Sequence, residues 1–286
     1  MNTTSWIAFR ALFEKCGPSK KTELLRHLSP EEQEILQGTI PPQEHPFAAC
    51  LSTEQRVTRI HYSWLIPFME PLSDRDRALV LSTLNQTQAG QLRRHFDIRK
   101  DPFPISSHGK AYLLTTIFYW LIADQGEFVP LEFLPQHPLN CLLTLAKSQI
   151  QTLVDHLGLR DLSTELKRVV KAEHVKKIHK LLSKSQKEYL QSLLKEKEPI
   201  AFARINLDVW DGDRGKLKTM LHYRGFNRLA KALFGCHPSL LWHICRTLDT
   251  GRTKILRKLF IDINNEQIQE LLVRQVLELI PMVQTR

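Results

Sequence analysis

The sequence predicts an all-α protein, and three observations carry that prediction. Apolar residues recur at three- and four-residue steps through most of the chain, the spacing of helices with one buried face. Helix-start chemistry recurs as well: Ser29-Pro30-Glu31-Glu32, Ser73 with Asp76, and Ser183 with Gln186 each place a hydroxyl where it can accept a first-turn N–H. Glycine is scarce, 11 in 286 residues, and strict apolar–polar alternation is rare, so a turn-dense β fold has little support. The expected architecture is a set of stacked short helices, armadillo-like helical repeats, in two or three domains.

The elements follow in order. Trp6, Ile7, Phe9, Leu12 and Phe13 give an amphipathic helix over 5–16 that Gly17-Pro18 ends, and a second helix begins near Lys20. Ser29 caps a third, with Pro30 at its first position and Glu32 reaching back. The run from Ile40-Pro41-Pro42 to Pro46 is a break, followed by helices around 47–70, 74–84 and 87–97. Asp101-Pro102-Phe103-Pro104 to Gly109 reads as a domain joint. The apolar run over 111–123, AYLLTTIFYWLIA, is short of the roughly 20 residues that span a bilayer. It reads as a central buried helix. A proline-containing loop through Pro130, Pro135 and Pro138 leads to one or two helices over 138–157, and Ser163 marks a further start. Residues 164–197 are charged and helical, with Val169, Val170, Val175, Ile178, Leu181 and Leu182 facing inward. Glu198-Pro199 closes that segment and 200–212 read as a linker. Residues 216–260 divide into four short helices with joints at Arg224-Gly225, at Gly235 to His237 and at Leu248 to Gly251. Each is too short to stand alone, so the four are expected to stack on one another. The expected domains are 1–105, 106–200 and 201–286.

The formal net charge is +10. A solvated Lys/Arg surface explains that balance most simply; an acidic protein, anionic lipid or nucleic acid partner is the other explanation. The five cysteines are odd in number and irregularly spaced, which reads as free thiols in a reducing compartment. The N-terminus lacks the long apolar core of a signal peptide, so a soluble cytoplasmic chain is expected.

No reactive constellation emerges. Cys236, His237, His243 and Cys245 carry ligand chemistry, but His243 and Cys245 lie two apart on a helix and face different ways. Asp208, Asp211 and Asp213 open like a calcium loop, yet the twelfth position is Thr219 where a bidentate Glu is needed. Gly212 to Lys216 has the wrong glycine gap for a phosphate loop and lacks a following Ser or Thr. No catalytic residue, cofactor, metal or small-molecule substrate is expected. Lys167, Arg168, Lys171, Lys176, Lys177, Lys180, Lys184 and Lys187, and later Arg252, Lys254, Arg257 and Lys258, fall where the helical period exposes them. These runs read as a solvated face, with phosphate binding as the alternative.

The His-Pro pairs in Glu44-His45-Pro46, Gln136-His137-Pro138 and Cys236-His237-Pro238 each precede an apolar helix. They are either helix-start chemistry or an echo of related repeats.

Residues 217–260 resemble the C-terminal domain of the flagellar motor-switch protein FliG. Leu229-Ala230-Lys231-Ala232-Leu233-Phe234-Gly235 matches that family's Leu-Ala-x-Ala-Leu-x-Gly sequence; Leu240, Ile244 and Leu248 match its next helix; Ile255-Leu256-Arg257 matches the last. Glu44-His45-Pro46 and Gln136-His137-Pro138 are similar to the family's Glu-His-Pro-Gln motif without its final Gln. The positions that correspond to the family's torque-helix charges hold Phe234, Gly251, Lys258 and Leu259. The resemblance therefore implies a non-enzymatic scaffold without torque generation, at the cytoplasmic face of an inner membrane. It would bridge a membrane ring protein to cytoplasmic switch or sorting-platform components of a flagellar or type III secretion apparatus, in a homo-oligomeric assembly. The candidate partner-binding residues are Glu44, His45, Pro46, Gln136, His137, Pro138, Phe234, Lys254 and Lys258. A generic helical-repeat adaptor and a basic nucleic-acid binder are the alternatives.

Overall fold

The computed structural model describes residues 3–39, 50–99, 103–168, 172–196, 198–200, 202, 207 and 210–284. Among these the chain is all-α, with short 3-10 turns and no strand. The α-helices are α1 (Thr3–Lys15), α2 (Pro18–Arg26), α3 (Pro30–Gly38), α4 (Thr53–Thr58), α5 (Ile66–Met69), α6 (Asp74–Leu81), α7 (Gln86–Phe96), α8 (Ser107–Ile122), α9 (Lys147–Leu166), α10 (Ala172–Leu181), α11 (Lys184–Lys195), α12 (Arg214–Ala232), α13 (Pro238–Thr247), α14 (Thr250–Leu259) and α15 (Glu266–Gln284). None of the described helices is long and apolar enough to cross a membrane.

The chain forms two compact units: residues 1–136 with 237–249, and residues 137–236 with 250–286. The expected boundaries near 105 and 200 do not coincide with this division. The four-helix stack expected over 216–260 does not form either. α12 runs unbroken through Arg224-Gly225, and α13 joins the first unit while α12 and α14 belong to the second.

The start signals at Ser29, Ser73 and Ser183 act as read. Ser29 accepts from the Glu32 N–H while Glu32 accepts from the Ser29 N–H (2.9 Å); Ser183 and Gln186 make the same reciprocal pair, and Ser73 accepts from Asp76 N–H. Ser163 does not start a helix. It is buried inside α9, where its hydroxyl donates to the Arg160 carbonyl (2.8 Å). The helix expected around 47–70 is broken where described, into α4, a 3-10 turn at 62–64 and α5, with Pro67 in the first turn of α5.

In the first unit, Trp6, Phe13 and Leu36 close α1 against α3. The larger core gathers Val57, Leu65, Met69, Leu92, Leu114, Ile117 and Leu121 around Trp242 of α13. Arg246, one turn further along α13, is buried with its guanidinium 4.0 Å from the Trp64 ring centroid and donates to the Leu121 carbonyl (2.9 Å). The Trp64 indole in turn donates to the Leu248 carbonyl (2.9 Å). α13 is thus pinned by an aromatic–cation stack as well as by its apolar stripe. His243 on the same helix donates from Nε2 to the Val129 carbonyl (3.1 Å), and burial drives its pKa down to about 4.

That histidine makes the first unit acid-sensitive. Its pKa is about 6.5 in an unfolded chain and about 4 when folded. Between those values only the unfolded chain binds the proton, so the contribution is full above about pH 6.5 and is lost as pH falls toward 4. The loss is about 3 kcal/mol at most. Urea titrations across this window should show the decline in wild type and a flatter profile in His243→Gln, whose amide can still donate to Val129.

In the second unit α9 and α12 pack at unusually short range. A Cβ on Gly158 would stand 2.1 Å from the Leu221 carbonyl oxygen, and one on Gly225 only 1.8 Å from that of Val154. Leu159, Leu162, Ile178, Leu190, Leu193, Leu217 and Leu221 form the core that α10 and α11 complete. Beside this core lies a buried polar network. Arg228 is 0% exposed. Its Nε donates to Asp161 Oδ1 (3.0 Å), and its Nη1 donates to Glu198 Oε1 (3.1 Å) and Gln275 Oε1 (2.7 Å). Arg160 adds Nη bonds to Glu198 (3.3 Å) and Glu278 (2.6 Å). Burial alone would raise Glu198, but Arg228, the Gln275 amide and Arg160 together hold it below the usual carboxylate range. Burial raises Asp161, and Arg228 offsets only part of that. The network ties α9, α12, α15 and the 198–200 segment together.

Candidate functional site

Two exposed faces stand out. The first lies on α8. Leu114, Ile117, Phe118 and Leu121 supply its buried stripe, so the helix is not buried all round as its apolar content implied. Its other side leaves Tyr112 72%, Tyr119 66% and Trp120 41% exposed. The positions i, i+7 and i+8 bring these rings to one side, and no Asp, Glu, Lys or Arg occurs between Ala111 and Ala123. The Trp120 ring is braced edge-on by Phe68 (centroids 5.3 Å apart). Sequence reading missed these three residues because it scored Tyr and Trp as core. The available signal was that Leu114, Ile117, Phe118 and Leu121 already complete one face at helical spacing.

The second face lies on α14. Thr253, Leu256 and Leu259 are buried, which turns Lys254, Arg257 and Lys258 outward, and Ile261 just beyond the helix is 60% exposed. α14 carries no acidic residue. A relay on its inner side fixes it to α12: Arg252 Nε donates to His222 Nε2 (3.2 Å), and His222 Nδ1 donates to Asp155 Oδ1 (2.7 Å). The imidazole therefore carries its proton on Nδ1 in this arrangement.

The other candidate residues fall in different places. Phe234 is half-buried and packs on Phe260 (centroids 5.1 Å), and its carbonyl accepts from the Gln269 amide. Phe234 is therefore a packing residue that holds the end of α12. Glu44, His45 and Pro46 lie outside the described residues. Gln136 and Pro138 are exposed and His137 is half-buried. His137 Nδ1 accepts from the Leu139 N–H (3.1 Å), as His237 Nδ1 does from the Ser239 N–H (3.2 Å), with Pro138 and Pro238 in the first helical turn. His61, with no proline after it, accepts from Ser63 N–H in the same way (3.3 Å). The His-Pro pairs that can be seen are helix-start chemistry. His237→Ala should cost about 1 kcal/mol and His237→Asn much less, because Asn also caps well; thermal unfolding of both variants checks this.

The metal-like residues disperse. His237 caps α13, His243 bonds Val129, and Cys245 is buried. Among the described residues no three His, Cys, Asp or Glu come together as a metal site would need, and none of the five cysteines forms a disulfide. Cys236 Sγ lies 3.6 Å from His137 Nε2. Burial lifts this thiol to about 11 and lowers the His137 imidazole, so the pair is neutral near pH 7. A thiolate–imidazolium nucleophile needs the opposite shifts. Asp211 and Asp213 act in a turn: Asp211 Oδ1 accepts from Asp213 N–H (3.0 Å), Gly212 takes φ +90°, and Asp213 caps α12.

No protein-family model, curated protein or solved structure matches this chain.

Charge separates the two units sharply. The second unit holds 25 of the 40 Lys and Arg and 14 of the 30 Asp and Glu, a formal +11; the first holds 15 and 16, a formal −1. The whole basic excess of the protein belongs to the unit that carries α14.

Proposed function

We propose that this protein is a non-catalytic adaptor that joins protein partners through separate surfaces on its two units. The observation that carries the reading is the exposed ring face of α8. Tyr and Trp concentrate binding energy at protein interfaces because they bury large rigid area at low entropic cost, and an exposed patch of such rings marks a contact surface. The cationic stripe of α14, ending in Ile261, is the second surface. Its field attracts an acidic partner and its aliphatic end adds a desolvated contact.

The motor-switch resemblance gives the adaptor a setting: the cytoplasmic face of an inner membrane, between a membrane ring protein and switch or sorting-platform components of a flagellar or type III secretion apparatus, with several copies assembled. Leu229, Ala230, Ala232 and Leu233, which carry part of the resemblance, are all buried in the second unit, whereas Leu240, Ile244 and Leu248 of the next matched helix belong to the first. Gly251 and Lys258 are exposed at positions where the family holds torque charges, and Leu259 is buried. This supports a structural role without torque.

Site-specific photo-crosslinking from positions 112, 119 and 258 in the native cell tests the reading. Recovery of ring or sorting-platform proteins, lost in Trp120→Ser or Lys254→Glu/Lys258→Glu, is the expected result. Crosslinks to RNA or DNA alone would replace the adaptor with the nucleic-acid reading.

A further inference from the structure

We infer that α10 and α11 of the second unit form a docking surface for the anionic headgroups of a phospholipid bilayer. This surface is separate from the stripe on α14, and the inference does not depend on the adaptor reading.

The two helices follow one another with only Leu182 and Ser183 between them. Across Ala172–Lys195 they carry six lysines, no arginine, and only Glu173 and Glu188 as acids. Lys176, Lys177, Lys180 and Lys184 are exposed and Lys187 is half-exposed. Ile178, Leu182, Leu190 and Leu193 face the core and take up the inner side. Among the described residues none of these five lysines makes an ion pair, although other cations of the unit do: Lys216 with Asp211, Arg160 with Glu198 and Glu278, and Arg168 with Glu165.

Folding does not account for this arrangement. Cations are favourable in the last turn of a helix and unfavourable in the first. Lys180 fits that rule. Lys184 opens α11 and Lys187 follows three residues later, where the free N–H groups of the helix already carry positive charge, and no acid occupies that first turn. Like charges stand four residues apart at Lys176 and Lys180 on α10 and three apart at Lys184 and Lys187 on α11, within a unit of formal charge +11. The cluster costs stability through mutual repulsion unless an anionic surface relieves it.

The chemistry of the cluster selects the partner. Lysine is a compact, strongly hydrated point charge suited to a diffuse anionic surface, whereas bidentate contacts to bases and phosphates favour the planar fork of arginine. Stacking of exposed bases also needs aromatic rings. The one Phe, Tyr or Trp on these helices, Tyr189, is half-buried and packs against His156 and the Arg160 guanidinium. The exposed apolar residue is instead aliphatic: Leu194 on α11, which gains by entering a headgroup–acyl boundary.

Flotation of the full chain with vesicles tests the inference. It should float with phosphatidylcholine vesicles containing phosphatidylglycerol, not with phosphatidylcholine alone, and the binding should weaken as salt rises. Replacing Lys176, Lys177, Lys180, Lys184 and Lys187 by Gln should cut the partition coefficient by at least about a hundredfold, since each lysine near an anionic membrane contributes several-fold. Lys254→Gln/Lys258→Gln should change it by less than about tenfold on the same scale. Circular dichroism of both variants confirms that they fold. No flotation of folded wild type at low salt would overturn the inference. So would equal loss in the two variants, or a five-lysine-dependent shift of duplex DNA or RNA without vesicle binding.

Discussion

Gly225→Ala is expected to destabilise the second unit by at least about 4 kcal/mol, beyond the usual 1–3 for an overfilled core. Alanine is a better helix former than glycine by about 1 kcal/mol, so propensity alone predicts the opposite sign. Geometry decides between them. The added Cβ would lie 1.8 Å from the Val154 carbonyl oxygen and 2.6 Å from its carbonyl carbon. Both are backbone atoms of α9, which no side-chain rotation can move aside. The helices must part, and the core between Leu159, Leu162, Leu217 and Leu221 opens with them. Gly158→Ala should act similarly through Leu221. Gly90→Ala in α7 is the matched control: nothing stands within 4 Å of its Cβ. It should stabilise by up to about 1 kcal/mol. Hydrogen exchange of α9 and α12 amides reads the first effect and distinguishes it from any change in the other unit.

Arg228→Met should cost about 3–5 kcal/mol at neutral pH. Methionine is apolar and of similar length, so the loss comes from what remains behind. Asp161 and Glu198 would keep their charges in a buried site without their principal cation, and Gln275 would lose the donor to its Oε1. The sign of the pH dependence identifies that cause. Glu198 is held low in the wild type, so it contributes stability above its unfolded pKa that is lost as pH falls through the folded value. Without Arg228 this carboxyl and Asp161 rise, and protonation relieves them. The gap between variant and wild type should therefore narrow as pH is lowered toward the carboxylate range. A gap independent of pH would point to packing, with the charge network irrelevant. Replacing Arg228, Asp161 and Glu198 together by apolar residues should restore part of the loss, because an absent buried ion costs less than an unpaired one.

The helix starts were legible because capping is local: Ser29, Ser73 and Ser183 each act within three residues of themselves. The all-α class was legible for the same reason, as periodicity reports the helix to which it belongs. What sequence could not supply was the partner of each stripe. The apolar side of α13 would suit any core, and only the Trp64 and Trp242 contacts to Arg246 show which one it joins. Gly225 read as a joint because glycine usually weakens a helix, yet here it is the notch that admits Val154. Nothing in the sequence singles out Arg228, since charge in a sequence says nothing of a carboxylate that lies dozens of residues away. On α8 the opposite error occurred, with Tyr112, Tyr119 and Trp120 counted as interior. The exposure of Lys254 and Lys258 was legible because both fall opposite Leu256 in the helical period.

The placement of α13 also sets a timetable for synthesis. The first unit needs Trp242 and Arg246 to close around Trp64 and Leu121, but these residues leave the ribosome only after the whole of 137–236. The second unit in turn waits for α14 and α15, the last helices of the chain. The first unit can close only once 137–249 have been made, and the second only after α14 and α15 follow, so an amino-terminal domain completed before the next begins is closed to this protein. A nascent chain ending at Gln136 would present the unfilled side of its core to solvent. That interval is when a chaperone would find the most to hold.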